Sequence, residues 1–195
     1  MLTVAIQAGG QSLRMGSDKG LLPLAGKPLI EHLLARVDGL GDEILIITNQ
    51  PQRYSYLGVK LVADVVPGAG ALAGLKTALS AAQGASVLVL ACDMPFVSRP
   101  LLQHLIRLAP QADVVIPQHR GNYEPLHAVY NKYNCLHALE AALEAGEKRV
   151  ISFFPRVQVA IVGEAELARL DPKGSSFFNI NTPEELDQAE RMLAE

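Results

Sequence analysis

The residues best equipped for chemistry stand near the start of the chain, in Val4-Ala5-Ile6-Gln7-Ala8-Gly9-Gly10-Gln11-Ser12-Leu13-Arg14-Met15-Gly16-Ser17-Asp18-Lys19. Adjacent glycines let backbone come close to a ligand, because no Cβ intervenes and positive φ costs little. Successive N–H groups in such a turn form an anion-binding concavity, to which Arg14 and Lys19 add full charges. The backbone at Ala8, Gly9 and Gly10, continuing to residue 12, together with these two cations, is equipment for holding a triphosphate. Asp93, in Cys92-Asp93-Met94-Pro95, is the second candidate. A carboxylate directly after a buried apolar run suits a hard cation such as Mg²⁺, which needs only one or two carboxylates because it keeps several waters. The same residue in an Asp-x-Pro context is also a common turn or cap.

The phosphate loop is of neither widespread type. A Walker A loop has four residues between its glycine and Gly-Lys-Ser/Thr. Here five separate Gly10 from Gly16, and Ser17-Asp18 precede Lys19. A dinucleotide fingerprint needs Gly-x-Gly-x-x-Gly after the strand, and that spacing is missing. No Gly-x-Ser-x-Gly elbow occurs, and none of the five histidines pairs with a cysteine or another histidine at ligand spacing.

The elements that must position these groups follow from apolar periodicity. Leu2–Ile6, Ile44–Thr48, Val87–Ala91, Val114–Pro117, Leu126–Tyr130 and Val157–Val162 read as strands, with a shorter one at Val59–Val62. Helical spacing joins Leu29, Ile30, Leu33, Leu34 and Val37, with Pro28 in the first turn. It recurs at Leu72, Leu75, Leu79 and Ala82, at Leu101, Leu102, Leu105 and Ile106 after a Ser98 cap, and at Leu136, Leu139 and Leu143. A last helix carries Leu186, Ala189 and Leu193, opened by Thr182 and Glu185 at capping-box spacing. Strands alternating with helices predict an α/β fold with a mostly parallel sheet and helices on both faces. Ligands bind beyond the carboxyl ends of such strands, where Gly9-Gly10, Asn49, Asp64 and Asp93 all fall. Asn49 and Asp64 suit reading a base or ribose, and equally suit plain turns after strands.

With 195 residues, 49% hydrophobic and 19% charged, the chain is expected to form one globular domain. A net charge of −3 argues against a general nucleic-acid binder. No run of about 18 apolar residues predicts a membrane span, and no signal peptide is read at the start. The two cysteines, Cys92 and Cys135, make neither a disulfide framework nor a zinc motif. A cytoplasmic location is expected.

The pattern Ala8-Gly9-Gly10-x-Ser12-x-Arg14-Met15-Gly16-x-Asp18-Lys19 resembles the signature loop of the molybdenum cofactor guanylyltransferase family. Sugar-1-phosphate nucleotidyltransferases, and the cytidylyltransferases of isoprenoid and molybdenum cofactor synthesis, carry related loops. Asn179-Ile180-Asn181-Thr182-Pro183-Glu184-Glu185-Leu186 resembles the family's carboxy-terminal motif, and Glu124-Pro125-Leu126-His127-Ala128-Val129-Tyr130 its segment facing the acceptor. The resemblance implies a three-layer, Rossmann-like nucleotidyltransferase fold whose amino-terminal part binds nucleotide and whose carboxy-terminal part binds the acceptor. It implies contacts to the nucleotide from Gln7, Ala8, Gly9, Gly10, Lys19, Asn49, Asp64 and Asp93, and to the acceptor from Asn179 and Asn181. Lys27, Lys76 and Arg149 are weaker candidate cations. In two places the chain departs from the family: Gln7 replaces a leucine, and Ala71 replaces the proline of Gly-Pro-Leu-x-Gly.

The implied reaction is nucleotidyl transfer: a molybdopterin phosphate oxygen attacks the α-phosphorus of GTP and pyrophosphate leaves in line. Asp93 would hold Mg²⁺, while Arg14 and Lys19 neutralise the departing pyrophosphate. GTP, molybdopterin and the cofactor-synthesis proteins that deliver it are the implied partners, with no nucleic acid and no membrane. Gln7, an amide at the strand end facing the base pocket, bears on base selection. CTP or a sugar 1-phosphate as substrate, and a nucleotide-binding module without catalysis, are the alternatives.

Overall fold

The computed structural model describes residues 1–8, 18–64 and 70–194. Its strands are β1 (Leu2–Gln7), β2 (Pro23–Leu24), β3 (Lys27–Pro28), β4 (Glu43–Ile47), β5 (Lys60–Val62), β6 (Ser86–Ala91), β7 (Val114–His119), β8 (Asn122–Tyr123), β9 (His127–Asn131) and β10 (Val159–Val162). Its helices are α1 (Leu29–Val37), α2 (Pro51–Tyr54), α3 (Ala71–Ala81), α4 (Arg99–Leu108), α5 (Lys132–Glu144), α6 (Glu164–Leu170) and α7 (Pro183–Ala194).

One sheet runs in the order β10-β7-β9-β6-β1-β4-β5, with β8 paired to β7. The central strand β1 is parallel to both β4 and β6, and the β4–β5 and β7–β10 pairs are parallel as well. The period-two alternation of strand side chains divides β1 between two cores. Val4 and Ile6 pack with Ile30 and Leu33 of α1 and with Leu101 and Leu105 of α4. Ala5 faces the other way, towards Leu72, Leu75 and Leu79 of α3 and Leu139 of α5. These faces make the three layers. A third cluster, with Leu22, Leu24, Leu29, Phe96 and Ile180, seats Ala189 of α7.

β9 runs antiparallel to both neighbours, β6 and β7. Only residues 120–126 connect it to β7, too few for the crossover a parallel strand requires. That connection folds as a hairpin instead. Arg120 and Gly121 at its tip both have positive φ, 49° and 77°, the pairing that a tight hairpin turn demands. β9 therefore brings its beginning to the edge where β1, β4 and β6 end.

The Ser98 hydroxyl caps α4, accepting from the Leu101 N–H at 3.4 Å, and both cysteines are free and buried. Pro28 stands one position ahead of α1 rather than in its first turn. Two helices carry no clear signal in the sequence: α2 is a single turn, and α6 buries only Leu167.

Candidate active site

A cleft of about 320 Å³ opens at the carboxyl ends of β1, β4 and β6. Ile47, Gly70, Ala71, Gly74, Ala91 and Leu126 give it largely apolar walls, and Gln7, Lys19, Asp64, Cys92 and Asp93 supply its polar atoms.

At one end Lys19 joins three distant parts of the chain. Its Nζ donates to Asp93 Oδ2 at 2.9 Å and also to Asn181 Oδ1. Both charged side chains are largely buried, 19% and 15% exposed. An ammonium has three donors, so this pairing leaves one for a ligand. The backbone beneath Lys19 is fixed from behind. Asp18 caps the short 3₁₀ turn Lys19–Leu21 by accepting from the Gly20 N–H at 3.2 Å, and the Tyr54 hydroxyl donates to the same carboxylate oxygen. Tyr54 is fully buried; burial, reinforced by its bond to Asp18, holds its phenol protonated far above the ordinary range. The fit there is close: a Cβ at Gly20 would stand 2.6 Å from the Tyr54 hydroxyl.

Asn181 is positioned by the start of α7. Its N–H and that of Thr182 donate to Glu185 Oε2 at 2.6 and 3.0 Å, and the Glu185 N–H donates to the Thr182 hydroxyl at 3.3 Å. This is the capping box expected from the sequence. The Ile180 N–H donates to the Asp93 carbonyl at 3.0 Å, which fastens the segment to the end of β6.

Asp64 stands on the opposite wall. Its Oδ1 accepts from the Thr77 hydroxyl of α3 at 2.8 Å, and its N–H donates to Asn49 Oδ1 at 3.1 Å. Asn49 is exposed and lies behind Asp64, away from the cleft lining. On the floor, Gln7 Nε2 is buried with no hydrogen-bond partner, a state that costs about 1–3 kcal/mol in a protein interior.

The reversed strand β9 supplies the far side. The Ala91 N–H donates to the Leu126 carbonyl at 3.1 Å, so the turn before β9 is stitched to the end of β6. Asn179 Oδ1 is buried without a partner, as are both ring nitrogens of His127. Burial lowers His127 to about 4 against a weaker opposing pull from Asp171, so its ring is neutral. Burial raises the Glu124 carboxyl.

Among the described residues no three His, Cys, Asp or Glu side chains assemble into a metal cage. Among the described residues, Lys19 takes Asp93 Oδ2 and no side chain or backbone donor bonds Oδ1. A hard cation here would take that oxygen and fill its shell from water and phosphate.

The structure thus brings Gln7, Lys19, Asp64 and Asp93 to one cleft, with Asn181 on Lys19 and Asn49 behind Asp64. Ala8 is buried at the end of β1. Gly9, Gly10 and Arg14 lie outside the described residues. Of the weaker cations, Lys76 pairs with Glu140 of α5 at 3.1 Å, and Lys27 and Arg149 are exposed away from the lining. Tyr54, Thr77 and Gly74 support the site without having been singled out in the sequence. Their contribution is made across space, and only Gly74, the last glycine of the Gly-x-Leu-x-Gly segment that holds Ala71, carried any signal.

The MobA-like NTP transferase domain model matches residues 4–160. A probable molybdenum cofactor guanylyltransferase of Pelotomaculum thermopropionicum is 37% identical over 99% of this chain and 93% of its own length. A molybdenum cofactor guanylyltransferase of Desulfosudis oleivorans is 32% identical over 98% and 96%. Among solved structures, molybdopterin-guanine dinucleotide biosynthesis protein A of Archaeoglobus fulgidus superposes with a TM-score of 0.84 at 31% identity, over 98% of each chain. A 2-C-methyl-D-erythritol 4-phosphate cytidylyltransferase of Thermus thermophilus, 19% identical, shares the fold with a TM-score of 0.74 over 98% of each chain. A match over most of the chain, relatives at this identity over nearly full length, and a cleft at the expected sheet edge agree: the chain belongs to the MobA-like NTP transferase family, a family of nucleotidyltransferases.

Proposed function

We propose that this protein transfers GMP from GTP to the phosphate of molybdopterin, releasing pyrophosphate and forming a guanine dinucleotide cofactor. The observation that carries the reading is the meeting of Lys19, Asp93 and Asn181 at the mouth of the cleft. Similarity to molybdenum cofactor guanylyltransferases over almost the whole length supports the choice of substrates.

The base and ribose enter the cleft between Gln7 on the floor and Asp64 on the wall, and the phosphates extend towards Lys19. The attacking phosphate is already ionised at neutral pH, so the step needs no general base. The protein's work is alignment and charge neutralisation. Lys19 keeps Asp93 oriented and turns its remaining N–H to a phosphate oxygen. Asn181 fixes the ammonium and, through its own amide N–H₂, faces the acceptor side together with Asn179. Arg14 and the backbone of residues 9–12 complete the phosphate cradle. Asp93 would hold Mg²⁺ through Oδ1, and the ion would supply positive charge against that of the phosphates. One carboxylate oxygen beside the phosphate position fits that ion's demand for few protein ligands.

The test is thermal stability with GTP, CTP, ATP and UTP in turn, followed by pyrophosphate release with molybdopterin. Saturation at a hundred times Kd adds about 2.7 kcal/mol. A shift with GTP, then release that depends on molybdopterin, is the expected result. A shift with CTP alone, or GTP binding without release, overturns it.

A further inference from the structure

The floor of the cleft holds a polar group whose capacity the fold does not use. β1 alternates its side chains, and Gln7 follows Ala5 onto the α3 side. Its backbone is locked in register between Ile47 and Ala91, and its carbonyl accepts from the Cys92 N–H at 3.1 Å. The carboxamide therefore leaves a rigid root. Its Nε2 is nevertheless buried with no acceptor among the described residues.

The carboxamide lies against the bare backbone of Gly74 in α3. A Cβ built there would stand 3.0 Å from Oε1, 3.4 Å from Cδ and 3.5 Å from Nε2. Beside it the cleft walls are apolar, from Ile47, Ala71, Ala91 and Leu126. An adjacent donor and acceptor in one plane, next to an apolar slot, match the edge of a flat heterocycle. They do not match a phosphate, which offers only acceptors.

We infer that the Gln7 carboxamide reads the O6/N1 edge of guanine. Nε2 donates to O6 and Oε1 accepts from N1–H, while the missing side chain at Gly74 leaves room for the amide to lie flat. This rests on the guanylyl-transfer reading and adds to it the atoms by which the base is chosen. Leucine, usual at this position in the family, can make neither bond.

The experiment is a titration by calorimetry, with Mg²⁺ present, of GTP, ITP and 2-aminopurine riboside triphosphate into the wild-type chain and Gln7→Leu. ITP keeps O6 and N1–H, whereas 2-aminopurine lacks both. The wild type is expected to bind GTP and ITP alike and the 2-aminopurine nucleotide about tenfold or more weakly, since a buried amide is then left unpaired. In Gln7→Leu, GTP weakens to the level of 2-aminopurine and the discrimination disappears. Discrimination that survives in Gln7→Leu overturns the inference. So does a wild type that binds GTP and the 2-aminopurine nucleotide equally, a comparison that needs no variant to fold. A wild type that ignores GTP overturns the guanylyl reading itself, and this edge assignment with it; whether GTP binds separates the two failures.

Discussion

Lys19 and Asp93, 74 positions apart in the chain, meet at 2.9 Å with their side chains mostly shielded from water. The carboxylate is oriented before any ligand arrives, and among the described residues one of its oxygens has no hydrogen-bond donor.

Replacing Asp93 by Asn keeps the shape and a hydrogen-bonding oxygen but removes the charge. Turnover should fall by about 10²-fold or more. Stability should fall by about 1–3 kcal/mol, because the neutral amide leaves the largely buried Lys19 ammonium without its counter-charge. Pyrophosphate release and thermal melting measured on the same preparation separate the two effects, and undiminished turnover at saturating Mg²⁺ would remove Asp93 from the mechanism.

Lys19→Ala deletes the ammonium that spans Asp93 and Asn181. GTP should bind about tenfold or more weakly, while guanosine, which has no phosphate, should bind as before. Equal losses for both ligands in parallel titrations would take Lys19 off the phosphates.

Gly74→Ala pits two local effects against each other. Alanine favours the interior of α3 by about 1 kcal/mol over glycine. Its Cβ also crowds the Gln7 carboxamide at 3.0 Å. The melting temperature should stay level or rise while GTP affinity falls about tenfold. A variant of normal affinity would mean that the amide does not need this space.

His127 makes the fold acid-sensitive. Its folded value of about 4 lies below the unfolded value near 6.5, so the unfolded chain takes up the proton first as pH drops. The stability associated with the neutral ring is complete above about pH 6.5. It is lost progressively towards pH 4, up to roughly 3 kcal/mol. Urea denaturation of wild type and His127→Leu at pH 7 and pH 4.5 should show a smaller loss in the variant; parallel losses would assign the acid sensitivity elsewhere.

What the sequence made legible was written in contiguous stretches. β1 and β6 are largely apolar runs, the box at Thr182 and Glu185 lies within four residues, and Asp64 and Asp93 each stand two positions past the end of a strand, β5 and β6. What it withheld consists of pairs formed only on folding. Tyr54 supports Asp18, Thr77 holds Asp64, and Gly74 makes room for Gln7. No local pattern links such partners. Asn49 is a case between the two: its place after β4 was readable, but not that its side chain would be spent on the Asp64 N–H. The direction of β9 also escaped periodicity, which is the same for either orientation, and was decided by the short span before it.

That reversed strand divides the labour of the sheet edge. The wall proposed to face the nucleotide is rooted in β1, β4, β6 and α3, whose register is shared by the whole core. The opposite wall hangs on a hairpin with an exposed tip at Arg120 and Gly121, anchored again at once by the Glu124 N–H on the Pro117 carbonyl at 3.0 Å. Its tip can lengthen or change composition without shifting a single core residue. Under the proposed function, such an architecture is evolvable on one side only: if the hairpin faces the acceptor, as its resemblance implies, a lineage could exchange the second substrate by rewriting a few hairpin positions while inheriting its triphosphate chemistry intact.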